Sequence, residues 1–300
     1  MLLKKFLLLV VGEKDGPLAG CVPLLKNYNF SVAQVSSVEH ALELLESTAL
    51  LSMVAVEDGI GDAQGWEFLK RAREKQPDLP ILWATDKEGA PPSEDIAPDA
   101  VLRLPVESDE FDRQATTLLR QHFYSEELVQ RLQKCVTDVL SESFKTQIDG
   151  HEPFLKGTRA LGGDVSSMIY FAGHGVSGHI IVSGMLEHIQ TLRGRILPEA
   201  KRATFEQAAD LVGELCNLIL GKFKSFFETR ELAFDIGTPV LLHGANIVLR
   251  RVAGSPSLML PFEEEAGTLY VEFCFDRLDS EPKSEDAESS LMASGDLVFL

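Results

Sequence analysis

The stretch from Asp210 to Lys224, DLVGELCNLILGKFK, sets a carboxylate, Glu214, and a carboxamide, Asn217, three residues apart in an otherwise greasy run. Residues three and four apart share one helix face, so Asp210, Gly213, Glu214, Asn217, Gly221 and Lys224 align as one narrow stripe. A carboxamide can both donate and accept hydrogen bonds. A helix apolar over most of its circumference is largely buried. The stripe is therefore either a polar seam inside the protein or the one face left open.

Other candidates carry less chemistry. His174 and His179 flank a glycine-rich turn and His188 follows in a helix, but no acidic or cysteine partner stands at ligand spacing, so no metal site is predicted. Gly173, Gly175 and Gly178 match GxGxxG, whose phosphate-binding use needs a helix after the glycines; HIIVSG follows instead, a strand. Cys21, Cys135, Cys216 and Cys274 are scattered without a CxxC, as buried thiols are in a reducing compartment.

The elements that must position these residues fall into two patterns. In the first half, apolar runs at 6–11, 30–35, 50–56, 81–85 and 100–104 alternate with amphipathic helices such as SVEHALELLES and GWEFLKRAREK. This predicts a doubly wound parallel sheet, whose ligands gather at the carboxyl ends of the strands. Those ends carry Gly12 and Glu13, Glu57 and Asp58, Thr85, and Leu104 before Pro105.

Residues 1–124 resemble the receiver domain of two-component response regulators, in strand order, in the GWEFLKRARE helix, and in Thr85 and Pro105. The resemblance implies a flavodoxin-like fold. It fails where the family's chemistry lies: the acidic pair after the first strand is Gly12 and Glu13, the phosphoacceptor position counts to Glu57, and the lysine before the proline is Leu104. Without an ammonium to neutralise a transferred phosphoryl group, phosphorylation is not expected. Asp58 is the alternative acceptor if the turn carries a one-residue shift. A degenerate receiver kept for docking or dimerisation is the favoured reading.

Beyond Tyr124 the pattern changes to helices, a hairpin at 164–184, two more helices, and closing strands at 240–252, 256–262 and 268–275. Helix runs followed by strand runs predict an α+β layer, with long helices on an antiparallel sheet. Residues 125–276 resemble the CheX-type chemotaxis phosphatases, relatives of the CheC and FliY proteins. The motif is Glu214, Asn217, Gly221 and Lys222 in the pattern ExxNxxxGK, with Asp210 upstream, the FAGHGVSGHIIVSG hairpin before it and IGTP after it.

That resemblance implies a helix inserted into the site of a phosphorylated receiver, where Asn217 orients the water and Glu214 pairs with the partner's lysine. It also implies a homodimer. Asp210, Gly213, Gly221 and Lys222 are the supporting face. The substrate is expected in trans, because Leu104 leaves the attached receiver without the cation that Glu214 would meet. No cofactor of its own is expected; Mg2+ belongs to the partner's site. A non-catalytic adaptor and a phosphorelay response regulator with Asp58 as acceptor remain the alternatives.

The whole chain fits these readings. A net charge of -18 argues against nucleic acid, which calls for clustered Lys and Arg. The start, MLLKKFLLLVVGEKDGPLAGC, imitates a lipoprotein signal, but charges at 13–15 interrupt it before Cys21, so it reads as a first buried strand, with a lipoprotein as the alternative. No stretch reaches the ~18 apolar residues of a membrane span, and a cytoplasmic protein is expected. Residues 277–300, acidic and serine-rich, are expected to be a disordered tail.

Overall fold

In the computed structural model the described residues are 7–28, 30–47, 51–60, 63–86, 97–173, 175–196, 203–228, 234–249 and 255–278, with backbone alone at 63–66 and 226–228. The chain divides into two compact units, Met1–Tyr124 and Ser125–Leu300.

The first unit is a parallel sheet of β1 (Leu7–Val11), β2 (Ser31–Val35), β3 (Leu51–Glu57), β4 (Ile81–Thr85) and β5 (Ala100–Arg103), in the order β2-β1-β3-β4-β5. Its helices are α1 (Val22–Lys26), α2 (Val38–Ser47), α3 (Ala63–Lys75) and α4 (Ser108–Phe123). Every residue of β3 is buried, because helices cover both faces of a central strand. Leu9, Val11, Val54, Val56, Ile81 and Trp83 meet Val38, Ala41, Leu45 and Phe68 of α2 and α3. On the other face α4 brings the buried Phe111, Ala115 and Leu119 against β3 and β5. The expected fold is the one observed, and the apolar start is indeed strand β1, with Cys21 buried in a short turn of 3-10 helix.

The second unit is α+β. Helices α5 (Glu126–Phe144), α6 (Leu186–Ile196) and α7 (Phe205–Glu228) accompany an antiparallel sheet. Its strands are β6 (Asp149–Gly150), β7 (Phe154–Leu155), β8 (Val165–Gly173), β9 (Val176–Gly184), β10 (Phe234–Ile236), β11 (Val240–His243), β12 (Leu258–Glu264) and β13 (Gly267–Leu278). The order is β10-β8-β9-β13-β12-β6, with β11 also on β8 and β7 also on β12.

Phe171 of β8, Phe273 and Phe275 of β13, Phe234 of β10 and Phe223 of α7 form one aromatic cluster that fastens α7 to the sheet. The opposite face of β13 carries Tyr270, Glu272 and Cys274, since successive strand residues point to opposite sides. There the Lys156 ammonium lies 2.7 Å from the Glu272 carboxylate, with both side chains almost wholly out of solvent.

Three boundaries differ from expectation. The candidate strand at 240–252 ends at His243, where Gly244 and Asn246 take positive φ angles that turn the chain; residues 250–252 lie outside the described residues. Strand β13 runs to Leu278, two residues past the expected domain end, because Arg277 and Leu278 still pair with Ser177 and Val176. The expected disordered tail, from 279 on, lies outside the described residues.

Candidate functional site

Helix α7 is started by a reciprocal cap. The Gln207 N–H donates to Thr204 Oγ1 at 3.3 Å and the Thr204 N–H donates to Gln207 Oε1 at 3.1 Å, satisfying two donors that a helix start leaves open. From there Ala208, Val212, Leu215, Cys216, Ile219, Leu220 and Phe223 are buried. Cys216 Sγ donates to the Ser167 carbonyl of β8 at 3.2 Å, and burial pushes its thiol pKa up to about 12. This thiol is structural, as is that of Cys135, which burial also raises to about 12.

The polar stripe is the open face. Asp210, Glu214, Asn217 and Gly221 are exposed and Gly213 is half-buried. Two lysines named with it behave differently. Lys224 is buried, with its ammonium 5.6 Å from the centre of the Phe234 ring, so it does not extend the stripe as the spacing predicts. The last turns of α7 lie beside β10, a strand the sequence pattern does not reveal. Lys222 is half-buried and bound to α5, 3.0 Å from Asp138 and 3.6 Å from Glu142. Burial draws its pKa down, but those two carboxylates outweigh burial and hold it above the ordinary lysine value. Lys222 therefore ties α5 to α7.

Gly213 stands beside β8 and the turn into β11: a Cβ there would lie 3.8 Å from Ser167 Oγ and 3.9 Å from Pro239 Cβ. At Gly221 a Cβ would meet nothing within 4 Å. A glycine inside a helix costs roughly 0.5–1 kcal/mol relative to alanine, and nothing in the described residues of this unit requires it at 221. Gly221→Ala is expected to raise stability by about that amount, read as a melting temperature higher by a few degrees.

In the first unit the strand ends bring Glu57, Asp58 and Thr85 together. Glu57 closes β3 as the strand count requires, and its side chain turns back toward the first strand's loop. A Cβ on Gly12 or Gly16 would lie 2.9 or 2.8 Å from Glu57 Oε2, and that oxygen is buried with no hydrogen-bond partner among the described residues. Burial raises the Glu57 pKa and the nearby Glu13 charge raises it further, against the lowering effect of the Leu18 backbone N–H. Thr85 Oγ1 donates to Asp58 Oδ2 at 2.5 Å. Glu13 is exposed, and Leu104, half-buried before the cis-linked Pro105, supplies no charge.

A carboxyl whose pKa is higher folded than unfolded holds its proton longer in the folded state, so its contribution falls as pH rises from the unfolded carboxyl value through the raised one. Glu57→Gln removes that penalty. The variant is expected to melt higher than the parent at pH 8 and to lose this advantage near pH 4, in paired thermal melts.

His188 shows what sequence spacing missed. It is buried in α6, with Nε2 2.9 Å from Glu264 Oε1 at the end of β12, and Arg195 holds the other Glu264 oxygen. His179 is also buried and meets the Tyr170 ring edge-on; His174 lies outside the described residues. These are core histidines, and the partner of His188 is 76 residues away, beyond any spacing rule. The hairpin glycines serve geometry: a Cβ on Gly178 would strike the Cys274 carbonyl of β13 at 2.0 Å. Among the described residues no cluster of three or more His, Cys, Asp or Glu is arranged to hold a metal, and no helix is long and apolar enough to cross a membrane.

Helix α7 and its open Glu214 and Asn217 lie in a segment that can be compared with known families. Residues 165–263 match the family model of the chemotaxis phosphatase CheX. The match begins with β8 and ends within β12, so it contains the whole stripe. The CheX match leaves out α5, which carries the partners of Lys222, and β13, the strand between β9 and β12.

Solved structures similar to this chain include a chemotaxis protein from Desulfovibrio vulgaris Hildenborough, 27% identical over 50% of this chain and 97% of that one, with a TM-score of 0.46. The CheX–CheY–BeF3–Mg complex from Borrelia burgdorferi matches at 21% identity over 50% and 97%, with a TM-score of 0.42. A CheY-like receiver domain from Methanospirillum hungatei JF-1 matches at 17% over 40% and 97%, with a TM-score of 0.35. No curated protein matches the chain.

Proposed function

We propose that the second unit is a phosphatase that hydrolyses the aspartyl phosphate of a separate response regulator, and that the first unit is a docking or dimerisation module that takes no phosphoryl group. The observation that carries this reading is the open face of α7: within the CheX-matching segment, Glu214 and Asn217 are exposed beside Gly221, where no atom of the described residues approaches a Cβ.

The chemistry follows from what each side supplies. A phosphorylated receiver holds the phosphoryl oxygens with its own Mg2+, threonine and lysine. It lacks an oriented water. Asn217 accepts from and donates to that water and aims its oxygen at phosphorus; the P–O bond to aspartate breaks as the new one forms, and the phosphate leaves with both of the water's protons, freeing the carboxylate. Holding one reactant in attack geometry is worth several kcal/mol. Glu214, one turn back, pairs with the receiver's lysine and sets the depth of insertion. Gly221 keeps the rim of the helix low enough for the partner's backbone. Lys222 acts only through α5.

The enzyme needs no metal of its own on this reading, its site is completed by the receiver, and a homodimer is its expected assembly. The substrate comes in trans, since Leu104 offers Glu214 no cation. The test is a screen of purified receivers from the same cell, each phosphorylated with a small-molecule donor and Mg2+, for faster phosphate loss when the full chain is added. Acceleration with at least one receiver is expected. Tight binding without acceleration would make the protein an adaptor, and a stoichiometric phosphate adduct on the chain itself, at Asp58, would make it a response regulator.

A further inference from the structure

The open face of α7 is not wholly polar. At roughly 100° per residue, Leu218 lies on the α5 side of the row formed by Asp210, Glu214, Asn217 and Gly221, between Glu214 and Lys222. It is 43% exposed. It is not among the core residues of α7, and its exposed part is apolar surface beside the polar row.

A second leucine flanks the row from the other side. Strand β11 pairs with β8 in the register Leu241 opposite Ser167 and His243 opposite Val165, and side chains opposite one another across two strands share a face. Ser167 faces α7, close to Gly213, and the His243 ring lies 4.2 Å from that of Phe205 in the first turn of α7. Pro239, two residues before Leu241 and therefore on the same face, touches the Gly213 position. Leu241 thus stands between them, alongside the first turns of α7 on the flank opposite Leu218, and it is 45% exposed.

We infer that Leu218 and Leu241 grip the phosphorylated receiver on either side of the acid–amide row and determine which receiver is accepted. The inference rests on the phosphatase reading for its partner. The row between the leucines presents the carboxylates of Asp210 and Glu214 on a chain of net charge -18, so an acidic surface is repelled and a basic one is drawn in. The fitting partner is a receiver with its lysine ammonium at the centre and apolar side chains on both rims. Burying the two leucines supplies affinity that the water-orienting amide does not. Charge selects the class of partner and the leucines select within it.

The test uses the full chain with Leu218→Ser, Leu241→Ser and, as a control far along the chain from the row, the equally exposed Val248→Ser. Each is titrated against single-domain receivers charged with beryllium fluoride and Mg2+, and turnover is measured on the phosphorylated receivers. Each leucine variant is expected to weaken binding and raise KM about tenfold, the loss of part of a buried leucine's transfer free energy, with kcat within about twofold. Leu218→Met should recover most of the loss, and Val248→Ser should match the parent. Unchanged binding in both leucine variants, or an equal loss in Val248→Ser, overturns the inference. So does a parent protein that binds none of the charged receivers. Binding without hydrolysis that is weakened by the leucine variants leaves the grip standing and removes the phosphatase reading alone.

Discussion

Replacing Asn217 by alanine is expected to slow phosphate release from the partner receiver by roughly 10²-fold or more while the protein melts at its normal temperature. The amide is exposed on α7, so its loss opens no cavity and strands no buried partner. Surface changes of that kind usually shift stability by no more than about 0.5 kcal/mol. The kinetic loss follows from geometry: a water displaced by about 1 Å from the attack line costs on the order of 10²-fold. Glu214→Ala should act differently, raising KM more than it lowers kcat, because on the proposed reading its carboxylate pairs with the receiver's lysine and leaves the water to Asn217. Paired melts and phosphate-release assays decide the matter. A large drop in melting temperature for Asn217→Ala would show that the stripe is a structural seam.

The largest stability effect is expected on the opposite face of the same sheet. Lys156 and Glu272 form an ion pair with 1% and 3% of their side chains exposed, so removing one charge leaves the other in a medium that cannot solvate it. Lys156→Met is expected to cost about 3–5 kcal/mol, a fall on the order of 10 °C for a unit of this size. The double variant Lys156→Met, Glu272→Leu should recover most of that loss, since a buried pair contributes little beyond what well-packed apolar groups would. Calorimetry on the two variants checks both statements. Equal melting of the single variant and the parent would show that the Glu272 carboxylate has other means of support.

Much of this molecule is legible from the chain alone because its signals are local. Five apolar runs between amphipathic helices determine the first sheet, and the three- and four-residue spacing of Asp210, Glu214 and Asn217 puts them on one face whatever lies beneath. The failures share a cause. Lys224 has the same spacing as the stripe but lies beside β10, whose three residues are too few to show a period. His188 finds Glu264, and Lys156 finds Glu272, across 76 and 116 residues, distances at which only the completed sheet brings them together. Lys222 matched the motif by letter, yet its direction is determined by two acids on α5, an element outside the CheX-matching segment. Spacing predicts which face a residue occupies, and packing decides whether that face is open.

The packing of Glu57 has a consequence for redesign. Its carboxylate fills the space beside Gly12 and Gly16, so a side chain at position 12 requires the end of the glutamate to move aside. Shortening Glu57 to aspartate would restore an acceptor of the right length and leave a gap where the longer side chain had been. Position 104, where the resemblance calls for a cation, would still be Leu104, and position 12 would still be glycine in place of an acid. Installing an acceptor at position 57 therefore calls for changes at 12, 57 and 104 together, since none of them taken alone supplies both the carboxylate and the cation. Binding surfaces on this unit can thus be altered one residue at a time, whereas phosphoryl chemistry at position 57 cannot be built that way.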